Sequence, residues 1–269
     1  MEVVKNINIA MERIFRLISI FITIYIISSS CSSSYKPEDV FQNNDTLYLL
    51  ETKKPFSGYI RTFYENGKLK SVKEYKNGFP DGYYLRFYPN GKMSLKMEYL
   101  NGKPLYFIQY YENSKIKAKQ FDSAGYRWIF RYFENGKVLR KESLKNGLLN
   151  GIIFQYHENG NVEMKITYKD GKRNGSFKMY FPNGKLKAEC NYVNDSIDGV
   201  FKIWTEDGYY GEETFKNGKR YGVWKYYYPS GKIKTEVFIS DIGTVKERIE
   251  YDENGKIIDK FTSNIDYYD

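Results

Sequence analysis

The chain has little histidine and cysteine: His157 is its single histidine, and Cys31 and Cys190 are its two cysteines among 269 residues. One histidine cannot build a histidine-rich metal site, and two cysteines cannot build a zinc cluster or a disulfide framework. Any serine or cysteine triad would have to use His157. The shortage of these residues leads us to expect neither a metal site nor enzymatic activity.

The chain also lacks an apolar run near its N-terminus long enough to span a membrane. Residues 17–27 form an uncharged apolar run of 11 residues, whereas a spanning helix needs about 20. Arg13 and Arg16 precede the run, and small residues follow it up to Cys31. This order is typical of a cleaved secretory signal, and a start at Met11 instead of Met1 would give the signal a more ordinary length.

A cysteine directly after small residues resembles the lipobox of bacterial lipoproteins, and this resemblance implies a lipid on Cys31. An ordinary signal with an incidental cysteine is the alternative. We predict a signal over residues 1–31, a tether leading into the main domain over 32–55, and location in the cell envelope, anchored to a bacterial membrane and facing the periplasm or the surface. A cytoplasmic protein follows only if the signal interpretation is wrong.

What the chain has in excess is tyrosine, with 28 Tyr beside 18 Phe, 3 Trp and 22 Gly, at a net charge of +9. A repeat of 22–24 residues accounts for this composition. Its first series of turn dipeptides is Asn66-Gly67, Asn90-Gly91, Asn113-Ser114, Asn135-Gly136, Asn159-Gly160, Asn183-Gly184, Asp207-Gly208, Ser230-Gly231 and Asn254-Gly255. A second series lies between them. Asn-Gly favours type I′ hairpin turns, in which both central residues have positive φ, so we expect two such turns and two strands per repeat.

The segments between the turns have the pattern of half-buried strands. Leu186, Ala188, Cys190 and Tyr192 alternate with polar residues, which is the period of a strand. The other strand opens at a glycine and has an apolar residue two positions later and an aromatic residue five positions later. These two positions have opposite parity, so either both sheet faces carry rings or the strand is bulged. We predict an all-β fold of tandem β-hairpin repeats of 22–24 residues, stacked into one elongated, twisted antiparallel sheet.

The pattern Gly-x-Phe-Lys-x-Tyr-x-x-Asn-Gly-Lys-Leu-Lys-x-Glu-x-x-Tyr, best seen at 175–192 and again at 222–238, resembles the bacterial variant of the MORN repeat. Proteins of this variant are commonly classed with the YwqK-type antitoxins of toxin–antitoxin systems. The resemblance covers residues 56–258, which we interpret as a domain of about eight repeats followed by a C-terminal cap over 259–269. It implies hairpins stacked edge to edge. Residues 103–133 lose the glycines of the repeat, by simple drift or because they form a bend or a specialised patch for a partner.

Catalysis finds little support in this pattern. His157 occupies the position of Tyr64, Tyr88, Phe181 and Tyr228 in other repeats, so we interpret it as an aromatic substitute. The glutamates that precede the turns recur at one repeat position, which indicates a solvated or structural site and not a catalytic pair. No glycine-rich phosphate loop opens a helix. We therefore predict no catalytic residue, no cofactor and no metal.

A binding protein is the function class that the pattern favours, because regularly spaced rings with polar rims can anchor a protein partner. The expected partner is a protein, such as a toxin in the antitoxin interpretation. A glycan or anionic lipid headgroups are the alternative partners, and nucleic acid is not expected to meet an exported protein. Lysines after the first turns would form a basic stripe or act as solvated charges that protect the edges. The candidate rings of the binding surface are Tyr84, Tyr156, Tyr180, Trp204, Trp224 and Tyr227.

Overall fold

The structure is a computed structural model that describes residues 34–263. The predicted signal with Cys31 and the last six residues of the chain lie outside the described residues. The chain divides into two compact units, Met1–Pro104 and Leu105–Asp269. Strands and one short 3-10 helix, Pro37–Asp39, are the regular elements of the described part. The predicted all-β fold of tandem hairpins is confirmed.

The first unit is built on four consecutive antiparallel strands, β4 to β7. Its strands are β1 (Ser34–Tyr35), β2 (Val40–Asn43), β3 (Thr46–Leu49), β4 (Gly58–Phe63), β5 (Leu69–Lys76), β6 (Phe79–Phe87) and β7 (Met93–Leu100). Strand β1 pairs in parallel with β4, and β2 and β3 form a separate hairpin. The predicted tether is therefore folded from residue 34 onward. Phe56, 2% exposed, fixes it by packing its ring against Tyr35 and Tyr75.

The second unit continues the hairpin pattern, with each long strand antiparallel to the next. The strands whose residues lie mainly or wholly in it are β8 (Lys103–Tyr110), β9 (Ile116–Ser123), β10 (Tyr126–Tyr132), β11 (Val138–Lys145), β12 (Leu148–Leu149), β13 (Gly151–Tyr156), β14 (Val162–Lys169), β15 (Lys172–Tyr180), β16 (Leu186–Val193), β17 (Ser196–Ile197), β18 (Gly199–Trp204), β19 (Tyr210–Lys216), β20 (Lys219–Arg220), β21 (Val223–Tyr227), β22 (Ile233–Ile239), β23 (Val245–Tyr251) and β24 (Ile257–Thr262). Strands β12, β17 and β20 are short opening pieces of β13, β18 and β21.

The two series of turns have different backbone geometries, which corrects the prediction of type I′ turns in both. In the second series both central residues have positive φ, as at Asn146 (51°) and Gly147 (78°), and this is a type I′ turn. In the first series only the second central residue does: Gly184 has φ 85° and Ser114 has φ 66°, whereas Asn183 is not left-handed. Gly184 N–H donates to Phe181 O and Phe181 N–H to Lys185 O. This is a type I turn followed by a left-handed residue, the usual three-residue hairpin loop.

A bulge follows each of these three-residue loops in most repeats. Leu186 pairs with Tyr180 and Ala188 with Met179, which leaves Lys187 as an extra residue. Where the extra residue is a lysine, its Nζ lies 5.4–5.6 Å from the centroid of the aromatic ring that precedes the turn, as in Lys70 over Tyr64, Lys117 over Tyr111, Lys187 over Phe181 and Lys234 over Tyr228. The second lysine of the Gly-Lys-Leu-Lys pattern is therefore explained by a cation–π contact.

The glycine that opens the other strand marks a second irregularity. Around Gly175, residues 174–176 stand opposite Thr167 alone, because Ile166 pairs with Phe177 and Tyr168 with Arg173. Gly175 has φ 117°, and a Cβ there would lie 3.1 Å from Thr167 Cβ, so both the backbone angle and the close approach favour glycine. Strand β10 lacks this glycine and pairs with β9 without a shift. The loss of glycines in residues 103–133 thus shortens the repeat and preserves the pairing.

Both sheet faces carry rings, which answers the question that parity left open. In the second unit the core face is the one with Ile153, Ile166 and Cys190, exposed by 1%, 5% and 8%. Ile153 pairs with Ile166, Ile166 with Phe177, and Phe177 with Cys190. The first unit has its own cluster of Val72, Leu85 and Phe87. Val72 and Leu85 occupy the repeat positions that hold Lys165 and Lys178 in the second unit. Because these residues are apolar in the first unit, the face that is lysine-rich in the second unit is the buried face in the first.

Hydrogen bonds between repeats connect both sets of hairpin ends. At the three-residue loops, Asn135 Nδ2 donates to Glu158 O, and Lys137 Nζ donates to Asn159 O over 2.7 Å. At the type I′ turns, a backbone N–H donates to a carbonyl of the preceding repeat, as from Gly171 to Leu149 and from Gly218 to Ile197. Lys137 and Lys232, two lysines of the predicted basic stripe, therefore tie one repeat to the next.

The two turn types predict opposite responses to proline. Glu158 occupies the position of Pro89, Pro182 and Pro229 in equivalent loops, so Glu158→Pro should raise the free energy of unfolding by about 0.4–1 kcal/mol. Asn146→Pro should lower it by more than that, because proline cannot adopt φ 51°. Urea denaturation followed by circular dichroism measures both changes. Equal effects of the two substitutions would contradict the assignment of two turn types.

Candidate interaction surface

The face of the second unit opposite the core face, called here the ring face, presents one residue per strand in straight rows. The register defines its central row by successive pairings. From β9 to β22 this row consists of Lys119, Phe130, Lys141, Phe154, Lys165, Lys178, Glu189, Lys202, Glu212, Lys225 and Glu236. Because neighbouring strands lie about 4.8 Å apart, each residue of the row is in reach of the next.

A second row on the ring face pairs an aromatic residue with an apolar residue across each three-residue loop. The pairs are Tyr110 with Ile116, Tyr132 with Val138, Tyr156 with Val162, Tyr180 with Leu186, Trp204 with Tyr210, Tyr227 with Ile233, and Tyr251 with Ile257. Trp204 and Tyr210 stack at 5.5 Å between ring centroids, and Tyr210 and Tyr227 at 4.8 Å. Tyr210 is therefore stacked between the two other rings, and its hydroxyl group donates a hydrogen bond to the carboxylate of Glu212.

The six candidate rings do not form one surface. Tyr156, Tyr180, Trp204 and Tyr227 lie on the ring face and are half-buried. Trp224 lies on the core face, only 7% exposed, and its Nε1 donates to Thr214 O over 3.1 Å. Tyr84 belongs to the first unit, where Lys73 Nζ lies 5.6 Å from its ring centroid. Trp224 is therefore a packing residue and not an exposed anchor, because its strand position has the opposite parity to that of Tyr227.

Charges on the ring face differ between its two halves. From β15 onward each lysine of the central row has a carboxylate on a neighbouring strand: Lys178 and Glu189 are 2.8 Å apart, Lys202 and Glu212 3.1 Å, and Lys225 and Glu236 3.3 Å. The hydrogen bond from Tyr210 and the ion pair with Lys202 keep the pKa of Glu212 below its ordinary value despite its partial burial. From β9 to β14 the central row alternates lysines with phenylalanines instead. The lysines, phenylalanines and glutamates of the central row can be read from the sequence, but the strand register was needed to show that they are neighbours.

His157 has a structural contact that its repeat position explains. Its Nε2 lies 2.9 Å from Tyr180 O, and because a carbonyl only accepts, the nitrogen is the donor. Tyr64, Tyr111 and Tyr228 donate in the same way to Phe87 O, Tyr132 O and Tyr251 O. His157 therefore makes the same hydrogen bond between two repeats that tyrosine makes at this position elsewhere.

Other titratable groups have packing roles. Cys190 is buried as a free thiol, and desolvation raises its pKa to about 11, despite an opposing hydrogen bond with Tyr192. Within residues 34–263, no three His, Cys, Asp or Glu side chains are grouped so that they could hold a metal ion. None of the helical segments in this range has the length and hydropathy needed to cross a bilayer.

Glu142 is the most enclosed ion-paired carboxylate of the core face. It is 6% exposed and accepts from Arg131 Nη1 over 2.5 Å and from Arg140 Nε over 2.7 Å. Burial alone would raise the pKa of this carboxyl group, but hydrogen bonds from Arg140 and Arg131 outweigh burial and hold the pKa below its ordinary value. This cluster joins β10 to β11.

The comparison with protein families finds the MORN repeat variant in six segments, residues 57–77, 80–101, 130–146, 149–170, 173–194 and 220–241. The chain therefore carries repeats of the MORN variant, a repeat scaffold, and the resemblance noted in the sequence is confirmed to this extent. Two stretches between matched segments have altered hairpins. Residues 102–129 lack the strand-opening glycine, and within residues 195–219 Trp204 pairs with Tyr210 without the extra bulge residue.

No curated protein sequence matches the chain. Two solved structures, titled "Crystal Structure of TcdB2-TccC3-Cdc42" and "Crystal Structure of TcdB2-TccC3", align with 83% of this chain at 9% and 10% identity, with TM-scores of 0.20 and 0.19. The alignments cover 16% and 17% of those chains, so this chain spans about a sixth of their length. Likeness at this level carries no argument about fold or function.

Removing the charge of Glu142 should destabilise the fold in a pH-dependent way. Glu142→Gln leaves two arginines without their carboxylate, and since both are partly solvated we expect a loss of about 1–3 kcal/mol at pH 7. The depressed pKa means that the stabilisation is present above the ordinary carboxyl pKa and disappears as the pH falls through the folded-state value.

Urea denaturation of both proteins between pH 7 and pH 3 measures this difference. The two stabilities should converge on the acid side, below about pH 4. A difference that stays constant down to pH 3 would show that the carboxylate charge is not the cause.

Proposed function

We propose that this chain is a non-enzymatic, protein-binding scaffold of the antitoxin or immunity type, exported and held at a bacterial membrane by a lipid on Cys31. The order of basic, apolar and small residues before Cys31 supports export and anchoring. The antitoxin assignment follows from the resemblance to the YwqK-type proteins. Because the signal places the chain outside the cytoplasm, its toxin would be one that is met at the envelope.

The observation that supports a protein partner is the stacking of Trp204, Tyr210 and Tyr227 on one another. A glycan is recognised by packing sugar rings on free aromatic faces, and here both faces of Tyr210 and the inner faces of Trp204 and Tyr227 are covered by stacking. Ring edges, hydroxyl groups and half-buried apolar side chains remain, and such a flat, mixed surface suits another protein. The Lys–Glu pairs beside the rings leave little excess charge for anionic lipid headgroups in this half of the ring face.

Affinity capture from envelope extracts with the full chain tests the scaffold proposal. We expect recovery of one protein in stoichiometric amount, and loss of that protein with the ring-face variant Tyr180→Ser/Tyr227→Ser. The control is Tyr221→Ser, an exposed residue outside the aromatic row. Retention on purified glycan or anionic vesicles alone, with no protein captured, would overturn the proposal.

Metabolic labelling with radioactive palmitate tests the anchor. The full chain should incorporate the label and fractionate with membranes, whereas Cys31→Ala should do neither, because the thiol at this position is the lipid acceptor in the lipobox interpretation. Cys190→Ala is the control, since this buried thiol is not the proposed acceptor. Labelling that persists in Cys31→Ala would exclude lipidation at Cys31.

A further inference from the structure

From β9 to β14, a stretch that lies wholly in the described part of the chain, Glu163 is the one acidic strand residue with the parity of the ring face. It is the extra residue of the bulge in β14, and its Oε2 accepts a hydrogen bond over 3.0 Å from Nε2 of Gln155, which has the parity of the core face. The lysines on this stretch of the ring face are Lys119, Lys141 and Lys165 in the central row, Lys145 and Lys169 at the ends of β11 and β14, and Lys117 at the bulge of β9. The rings are Phe121, Tyr126, Trp128, Phe130, Tyr132, Phe154 and Tyr156. We call this set the basic patch. The other acidic strand residues of the same stretch, Asp122 and Glu142, have the opposite parity and pair there with arginines.

Lysines of the basic patch are held by rings and not by carboxylates. Lys119 Nζ lies 5.1 Å from the Phe130 centroid, Lys141 Nζ 5.1 Å from that of Trp128, and Lys165 Nζ 5.7 Å from that of Tyr180. A ring fixes the position of an ammonium group without neutralising it. The patch therefore presents ordered positive charges, whereas Lys178, Lys202 and Lys225 in the other half are paired with glutamates.

Charge complementarity indicates an anionic occupant, and the ring geometry favours a protein over a nucleic acid. Single-stranded nucleic acids bind by stacking bases on free ring faces. In the basic patch Phe121 and Phe130 are stacked on each other at 6.0 Å, and ammonium groups lie over Phe130 and Trp128. The faces of these rings are occupied, so what the patch offers is ammonium groups between apolar edges.

The size of the patch fits a short extended peptide. From Lys119 on β9 to Lys165 on β14 the row crosses four strand spacings, about 19 Å at 4.8 Å each. An extended segment of six residues covers about 20 Å, and alternate residues of such a segment point to the same side, so one row of carboxylates can face the lysines.

We propose that the basic patch binds an acidic, extended segment of the partner protein. This inference rests on the proposed function, because it names the chemistry of the partner that the scaffold recognises. The remaining ring face, with its paired charges, then supplies apolar and hydroxyl contacts. Electrostatic complementarity of this kind determines the orientation of the partner and raises the association rate.

Fluorescence anisotropy with the full chain and a fluorescein-labelled octapeptide of alternating Glu and Thr tests the inference. The variant Lys119→Gln/Lys141→Gln/Lys165→Gln should bind the octapeptide about tenfold more weakly or worse. The control Lys202→Gln/Lys225→Gln/Lys260→Gln removes the same number of charges from the half of the ring face where each lysine has a glutamate, and should change the affinity by less than about twofold. Circular dichroism confirms that both variants are folded.

Three results would overturn the inference: no octapeptide binding by the unmodified chain, equal weakening by both variants, or tighter binding of another anion that only the basic-patch variant loses. The anions for the last comparison are an eight-residue oligothymidylate, which stands for nucleic acid, and phosphatidylglycerol-containing vesicles, which stand for a membrane surface. Affinity capture separates the two proposals. If the basic-patch variant still captures the protein that the unmodified chain captures, the patch is not the contact and the scaffold proposal stands.

Discussion

Repetition of the cross-strand register is the constraint on which the other features of this protein depend. Most repeats have two irregularities, the bulge after the three-residue loop and the glycine-dependent excursion at the start of the other strand. Because they recur at equivalent positions, equivalent residues of successive repeats fall into rows. Gly175 and its counterparts share a left-handed φ, and Gly82, Gly151 and Gly175 also have close neighbours that would contact a Cβ atom, so glycine at this position allows the register to be restored in the next repeat. Where the excursion is absent, as in β10, the repeat becomes shorter and the rows continue.

Contacts between neighbouring side chains of a row stabilise the fold. Side chains that are neighbours in a row shield one another from solvent. Ile153 and Ile166, which are paired on adjacent strands, are almost fully buried in this way. Long rings extend this cover, and cross-strand pairs of this kind contribute about 0.2–1 kcal/mol each. Tyr64, Tyr111, His157 and Tyr228 add hydrogen bonds to the next repeat, and Asn135 and Lys137 do the same at the turns. Much of the polar recurrence in the sequence therefore serves the scaffold.

Because residues at one repeat position are neighbours on the sheet, substitutions at that position in successive repeats form a continuous surface patch. The central row of the ring face holds Lys–Glu pairs in its later strands and lysines between phenylalanines in its earlier ones, with the backbone pairing unchanged. In the first unit the equivalent positions hold Val72 and Leu85, which are buried. A repeat scaffold of this kind can thus carry distinct contact chemistries along one architecture, and the same register that supports the fold determines which side chains a partner meets together.

The sequence alone determined the repeat length, the strand content and the aromatic position, because each is a local periodicity that survives without tertiary contacts. It also indicated that His157 replaces a tyrosine. It did not determine the turn geometry. Asn183-Gly184 and Asn146-Gly147 are identical dipeptides, but only Asn146 has a positive φ, because Asn183 belongs to a three-residue loop that is followed by a bulge. The tertiary structure also separated Trp224 from Tyr227, and it alone placed Lys119, Lys141 and Lys165 in one row. Neighbours across strands are set by register, and register depends on insertions of single residues that a periodic pattern tolerates without visible change.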